Sequence, residues 1–196
     1  MAAALGAALS CANAPAWLGG PECLVVPVSS QDFLESTRLR ARMSIGDGHR
    51  ELQLEVIAQL APDDLVVVGL APHGTRLFAV RQRGQELTVE GVSSLEMKYV
   101  ALWVMDALHR GLWIEPPADS RLADRTSWNW HGERVLEARQ NGHRRREYRR
   151  LDERTDVAPV VIDYREAAES GEESGFEIRN AWCGYEAVLV GLDSDH

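Results

Sequence analysis

A reaction would first show in this sequence in the spacing of its histidines, cysteines, serines and carboxylates. That spacing argues against one. Six histidines are present, at His49, His73, His109, His131, His143 and His196. None stands at ligand spacing from another histidine, a cysteine or a carboxylate in the manner of HExxH, and they read as solvated or turn residues. The three cysteines, Cys11, Cys23 and Cys183, form no CxxC and share no zinc-type spacing with a histidine. No metal and no other cofactor is therefore expected. A Gly-x-Ser-x-Gly elbow and a Gly-rich phosphate loop are both missing. The pair Glu172-Glu173 sits in a polar stretch and reads as surface. These observations point to a protein that binds rather than catalyses.

Two stretches carry candidate binding chemistry. The first runs from His143 to Arg150 and contains Arg144, Arg145, Arg146 and Arg149. On a strand these arginines fall on both faces. One reading is an edge strand guarded by charge. The other is contact with anionic lipid headgroups or lipopolysaccharide phosphates, where each basic residue contributes about 1 kcal/mol. The second stretch is Met97 to Trp113. Met97, Val100, Ala101, Val104, Leu108 and Leu112 recur at helical spacing, and Tyr99, Leu102, Trp103 and Met105 make the opposite side apolar too. Such a helix must be covered on more than one side. It is either plain core or a lid whose Tyr99, Trp103 and Met105 face a ligand. Methionine suits a lid because it adapts to variable shapes. Trp128, Trp130 and Trp182 either line the same cavity or fill it.

The elements that position these residues are mostly strands. Leu39, Ala41, Met43 and Ile45 alternate with Arg38, Arg40, Arg42 and Ser44, the period of a half-buried strand. Gly46-Asp47-Gly48 is a turn, and Leu52, Leu54, Val56, Ala58 and Leu60 alternate again, giving the clearest hairpin of the chain. Further strands are predicted at Leu65–Leu70, Thr75–Arg83 and Gln85–Glu90. After the helix, closed by Gly111 and Pro116-Pro117, strands resume near Ser127. Asn141-Gly142 signals a type I′ hairpin between Val135–Arg139 and His143–Leu151. Val160–Tyr164, Phe176–Asn180 and Tyr185–Leu189 complete the set. Turns about every ten residues indicate an antiparallel meander, and hence a sandwich or barrel.

Composition sets the frame. The chain has 196 residues, 45% hydrophobic and 26% charged, which suits one domain with a real core. Its net charge of −9 argues against a nucleic-acid partner. Residues 1–12 are small, apolar and uncharged, like the h-region of an export signal. The basic n-region is missing, since no Lys or Arg precedes Arg38, as it would be if the start codon lay upstream. Ala8-Leu9-Ser10-Cys11 resembles a bacterial lipobox, which makes Cys11 the candidate lipidated residue. An Ala-rich tail with an incidental cysteine, or ordinary cleavage and secretion, are the alternatives. Residues 1–21 are thus read as residual signal, lipobox and tether, and 22–192 as one domain.

The order of elements resembles that of the LolA/LolB-like lipoprotein carriers. More closely, it resembles a family of short bacterial lipoproteins of uncharacterised function with the same fold. The likeness rests on Gly74-Thr75-Arg76-Leu77-Phe78-Ala79-Val80, on the helix Met97 to Trp113, and on Phe176-Glu177-Ile178-Arg179-Asn180 leading to Gly184-Tyr185. It implies a mainly antiparallel β (α+β) fold, a curved, unclosed half-barrel of about ten strands with a central apolar helical insertion. It also implies an apolar cavity between helix and sheet. Leu39, Met43, Leu52, Leu54 and Val56 on the strands, with Tyr99, Trp103 and Met105, would line that cavity. The expected ligand is a lipid or lipidated molecule. The expected place is the periplasmic face of the outer membrane, held there through an N-terminal lipid anchor. A structural or protein-interaction lipoprotein with a filled barrel is the alternative; no protein partner is named by the sequence. The turn around Ala71-Pro72-His73 offers no protruding leucine of the kind the membrane-bound carrier uses. With Cys11 lipidated in an oxidising compartment, Cys23 and Cys183 remain to form a disulfide if the ends of a curled sheet approach each other.

Overall fold

The computed structural model describes residues 27–30, 37–61, 63–120, 123–140, 143–151, 160–165 and 174–195. Five strands come first: β1 (Thr37–Gly46), β2 (Glu51–Ala61), β3 (Asp64–Leu70), β4 (Arg76–Arg83) and β5 (Glu86–Glu90). Helix α1 (Leu95–Leu108) follows and runs on as a π-helical turn, His109–Trp113. Six more strands complete the chain: β6 (Arg125–Trp130), β7 (Glu133–Gln140), β8 (His143–Arg150), β9 (Val160–Arg165), β10 (Gly175–Asn180) and β11 (Tyr185–Asp195). The fold is mainly antiparallel β, as expected, with eleven strands where about ten were counted.

All strands join one sheet in the order β5-β4-β3-β2-β1-β11-β10-β9-β8-β7-β6. Every pairing is antiparallel. The sheet does not close: β5 and β6 are its two edges. It is two meanders joined in the middle, where β1 pairs with β11. α1 connects the two edges and packs across the inner face against β1, β4 and β5.

Local chemistry explains the hairpins. The Asp47 carboxylate accepts the backbone N–H of His49 and of Arg50, each at 2.9 Å, and Gly48 takes φ +82°. This fixes a register in which Met43 faces Leu54 and Ile45 faces Leu52. A slip of one residue would turn every one of those side chains outward. The tip Asn141-Gly142 lies outside the described residues, but the register it predicts between β7 and β8 is present, with Glu137 opposite Arg146.

The inner face carries one continuous core. In β1 and β2 it takes Ala41, Met43, Ile45, Leu54, Val56, Ala58 and Leu60. Ser94 caps α1, its hydroxyl accepting the Met97 N–H at 3.2 Å. Gly111 does not end the helix as expected. It lies inside the π turn, where a Cβ would come within 2.4 Å of the Phe176 ring. Its lack of a side chain lets the helix end approach β10 closely.

Candidate functional site

An open cleft of about 310 Å³ lies where the β1–β2 turn meets the start of α1. Ile45, Leu52, Met97, Val100 and Trp103 supply its apolar walls. The Arg50 guanidinium and Glu96 carboxylate, 2.8 Å apart, stand at its rim, 77% and 53% exposed. The hairpin fixes Leu52 and Ile45 opposite each other; the cap at Ser94 fixes the first turn of α1. Trp103 is buried and stacked on Tyr185, with ring centroids 5.5 Å apart.

Of the expected cavity residues, the cleft brings together Leu52 and Trp103. Met43, Leu54, Val56 and Met105 are packed inside the core, and Leu39 and Tyr99 lie half-buried against it. The cleft that Leu52 and Trp103 meet lies at the start of the helix. The helix is apolar nearly all round, and its buried residues pack with those of the sheet into one core.

A second assembly was not visible as a unit in the sequence. At the end of α1 the Asp106 carboxylate accepts from Arg110 Nε at 3.1 Å, Asn180 Nδ2 at 2.9 Å and the Tyr185 hydroxyl at 2.7 Å. Arg110 also forms a two-pronged pair with Glu133, at 2.7 and 3.0 Å. Beside it, Arg146 donates to Glu137 at 2.7 Å and to the carbonyls of Arg110 and Ile114. The Tyr148 hydroxyl donates to the same Arg110 carbonyl at 2.8 Å. A helix end leaves its last carbonyls without partners, and here β8 supplies the donors. Arg110 and Arg146 lie 0% and 1% exposed.

Titration follows from this packing. Burial disfavours the charged guanidinium of Arg110, but Asp106 and Glu133 outweigh it and hold the proton more tightly than usual. Burial would likewise raise Glu137, yet the hydrogen bond from Arg144 and the charge of Arg146 pull it below the ordinary carboxylate range. The Tyr185 hydroxyl is pushed well up, by burial first and by Asp106 second. Perturbed groups of this kind occur both at functional sites and in structural ion-pair networks. Here the charged atoms are closed off and turned on one another.

The arginine stretch is corrected in one respect. β8 is an interior strand, between β7 and β9, and not an edge. Arg146 points inward and cannot reach a headgroup. Arg144 shares Glu137 with it, at 3.0 Å, and its guanidinium lies over the Tyr164 ring at 4.1 Å. Arg145 and Arg149 face outward and pair with Glu147.

His109, read as solvated, is buried. Its Nδ1 accepts the Val28 N–H at 3.2 Å, so Nε2 carries the proton and donates to Gln82 Oε1 at 2.9 Å. Gln82 in turn donates to the carbonyls of Val28 and Gly84. Burial pushes His109 down to about 3. The signal that could have found this group is its place in an apolar helix. Asp106 and Arg110, four apart on the same helix, carried the other. Cys183 is buried and disulfide-bonded; its expected partner Cys23, and the expected lipidation site Cys11, lie outside the described residues, as does the 1–21 tether.

Among the described residues, no group of three or more His, Cys, Asp or Glu side chains is placed to hold a metal ion, and no helix is long and apolar enough to cross a membrane. No curated protein matches the chain. A family model does, over residues 38–191, from the first strand to the last. On that match the chain belongs to the DUF3261 family, described as a protein of unknown function.

Proposed function

We propose that this protein is an outer-membrane lipoprotein that holds an acyl chain or other slender apolar ligand in the cleft between β2 and α1. The observation that carries the reading is the cleft itself. It is a mainly apolar opening of about 310 Å³ beside the core, at the lower end of the roughly 300–1,000 Å³ of ligand pockets. The unclosed antiparallel sheet with a helix across its inner face resembles the LolA/LolB-like carriers, which take acyl chains between those layers. Cys11 in its lipobox-like setting would anchor the protein to the periplasmic face of the membrane. Burying a chain in the cleft gains about 25 cal/mol per Å² of apolar surface, enough for reversible binding and release.

Val100→Trp tests the reading. Val100 lines the cleft and is only half-buried, so a larger side chain there fills the cleft without entering the core. Wild-type protein is expected to bind a dansyl-labelled fatty acid, and the variant to lose that binding while keeping its circular dichroism. A wild type that ignores the probe, or a variant that binds it equally well, sinks the proposal. A second reading, a lipoprotein that engages a protein and no small ligand, is favoured by the packing of Met43, Leu54, Val56 and Met105 inside the core. It predicts the first of those failures.

A further inference from the structure

Opposite partners in the sheet form rows along the inner face. One row begins at Leu54 and Met43 and continues through Leu189, Phe176 and Tyr164 to Arg144 and Arg139. Its chemistry changes from aliphatic to aromatic to cationic. At the far end three guanidiniums share one carboxylate. Arg146 and Arg144 reach Glu137 Oε2 at 2.7 and 3.0 Å, and Arg139 reaches Oε1 at 3.2 Å. Among the described residues no other carboxylate pairs with any of the three. Counted over the described residues, two positive charges are left uncompensated there, in a chain whose total is −9. Arg146 is enclosed, whereas Arg144 and Arg139 are 26% and 40% exposed.

A second observation is independent of the charge. Among the described residues, the buried side-chain atoms without a partner are Trp128 Nε1, Arg144 Nε, Arg149 Nε and Tyr164 Oη. All four can donate, and all lie on β6, β8 or β9. Trp128, Arg144 and Tyr164 share the inner face, with the Arg146 guanidinium 5.4 Å from the Trp128 ring centroid. The region is rich in donors and short of acceptors. Stacking on Tyr164 holds Arg144 in place, so little freedom is lost when its fork meets an oxyanion.

We propose that Arg139 and Arg144, backed by Tyr164 and Trp128, form a binding site for a phosphate group. A phosphate monoester carries about −1.5 to −2 charge near neutral pH, which matches the uncompensated pair. Guanidiniums bind such groups through paired, charge-assisted hydrogen bonds. The site is separate from the apolar cleft: four strand spacings lie between β1 and β8, about 19 Å.

Titration calorimetry at constant ionic strength, with inorganic phosphate and with dodecyl phosphate as probes, tests the site. Wild type is expected to bind at least one of them. Arg144→Gln should weaken that binding about tenfold or more, and so should Arg139→Gln, at the more exposed position. Arg145→Gln, on the outer face, should leave it unchanged. Equal affinity for both probes identifies a free anion as the ligand, and a preference for dodecyl phosphate identifies a lipid headgroup; either supports the site. Absence of binding to both probes overturns it, as does equal weakening by Arg145→Gln. Loss of dodecyl phosphate binding in Val100→Trp but not in Arg144→Gln also overturns it, while leaving the acyl cleft standing.

Discussion

On the β1–β5 side the inner layer is aliphatic: Met43, Ile45, Leu54, Val56, Leu65, Val67 and Val80, with the ring of Phe78 among them. On the β6–β11 side the same layer holds Arg146, Glu137, Tyr148, Asn180 and Tyr185, and receives Asp106 and Arg110 from the helix. The two sides meet one helix, yet they grip it differently. Aliphatic packing has no direction and tolerates repacking at constant volume. The charged side is directional, since its hydrogen bonds and ion pairs join particular donors to particular acceptors. A buried ion pair adds little net stability over an apolar equivalent, but breaking one leaves a bare charge behind. The aliphatic side therefore supplies driving force, and the charged side sets where the helix end must sit.

The sharpest way to break this contrast is to remove one charge. Arg110→Met removes the guanidinium that Asp106 and Glu133 share and should cost about 3–5 kcal/mol in urea unfolding. Adding Asp106→Asn should recover part of that loss. Two truncations on the aliphatic side, such as Leu65→Ala with Val80→Ala, should show no recovery of this kind. Recovery on both sides, or on neither, would show that the two sides do not differ.

The next effect is on pH. His109 bridges the aliphatic side, through Gln82 of β4, to the segment at Val28. Its folded value of about 3 lies below the unfolded 6.5. Between those values the unfolded chain takes up a proton that the folded chain refuses. The stability is thus full above about pH 6.5 and lost as pH falls toward 3, at up to about 1.4 kcal/mol per pH unit. From about pH 7 to about pH 5 the loss is roughly 2 kcal/mol. This upper part of the window, above about pH 5, lies above the range where carboxylates protonate, so His109→Gln should flatten it. An unchanged slope in that variant would remove His109 as its cause.

The smallest effect is expected at the cleft rim. The Arg50–Glu96 pair is largely exposed, and such pairs contribute less than about 1 kcal/mol. Arg50→Gln should leave the denaturation midpoint nearly unmoved while easing entry of a fatty-acid probe, read as a faster association rate. A large drop in stability would instead make the rim part of the structural grip.

Much of this was legible in the sequence, and what was missed has physical reasons. Alternation in Arg38–Ile45 and Leu52–Leu60, with Gly46-Asp47-Gly48 between them, marked β1 and β2 because one face is buried and the other solvated. The helix showed itself by the change of period after Leu95. The filling of the interior did not show, because volume matching between distant strands leaves no local pattern. Hence Leu52 and Trp103 reached the cleft while Met43, Leu54 and Met105 became core. The stretch His143–Arg150 was misread as an edge because dense charge looks solvated. Its alternation did hold a clue: Tyr148 shares parity with Arg144 and Arg146, so a buried ring marks the inward set. What no spacing could reveal is Glu137, the carboxylate across the strand pair that makes Arg146 tolerable inside.

The seam between β1 and β11 has a consequence in time. Within each meander, neighbouring strands are joined by short local connections and can form as soon as they are synthesised or released. The seam joins opposite ends of the chain, Gly46 with Glu186 and Arg38 with Asp195. It carries the entropy of closing the chain between β1 and β11 into one loop. Until the last strand arrives, β1 and β10 present two open edges in the middle of the future sheet, each ready to pair with another molecule. Pairing of β11 with β1 is therefore expected to come late in folding. A chain truncated before Tyr185 should accumulate as two half-sheets prone to aggregate, however well each meander forms on its own.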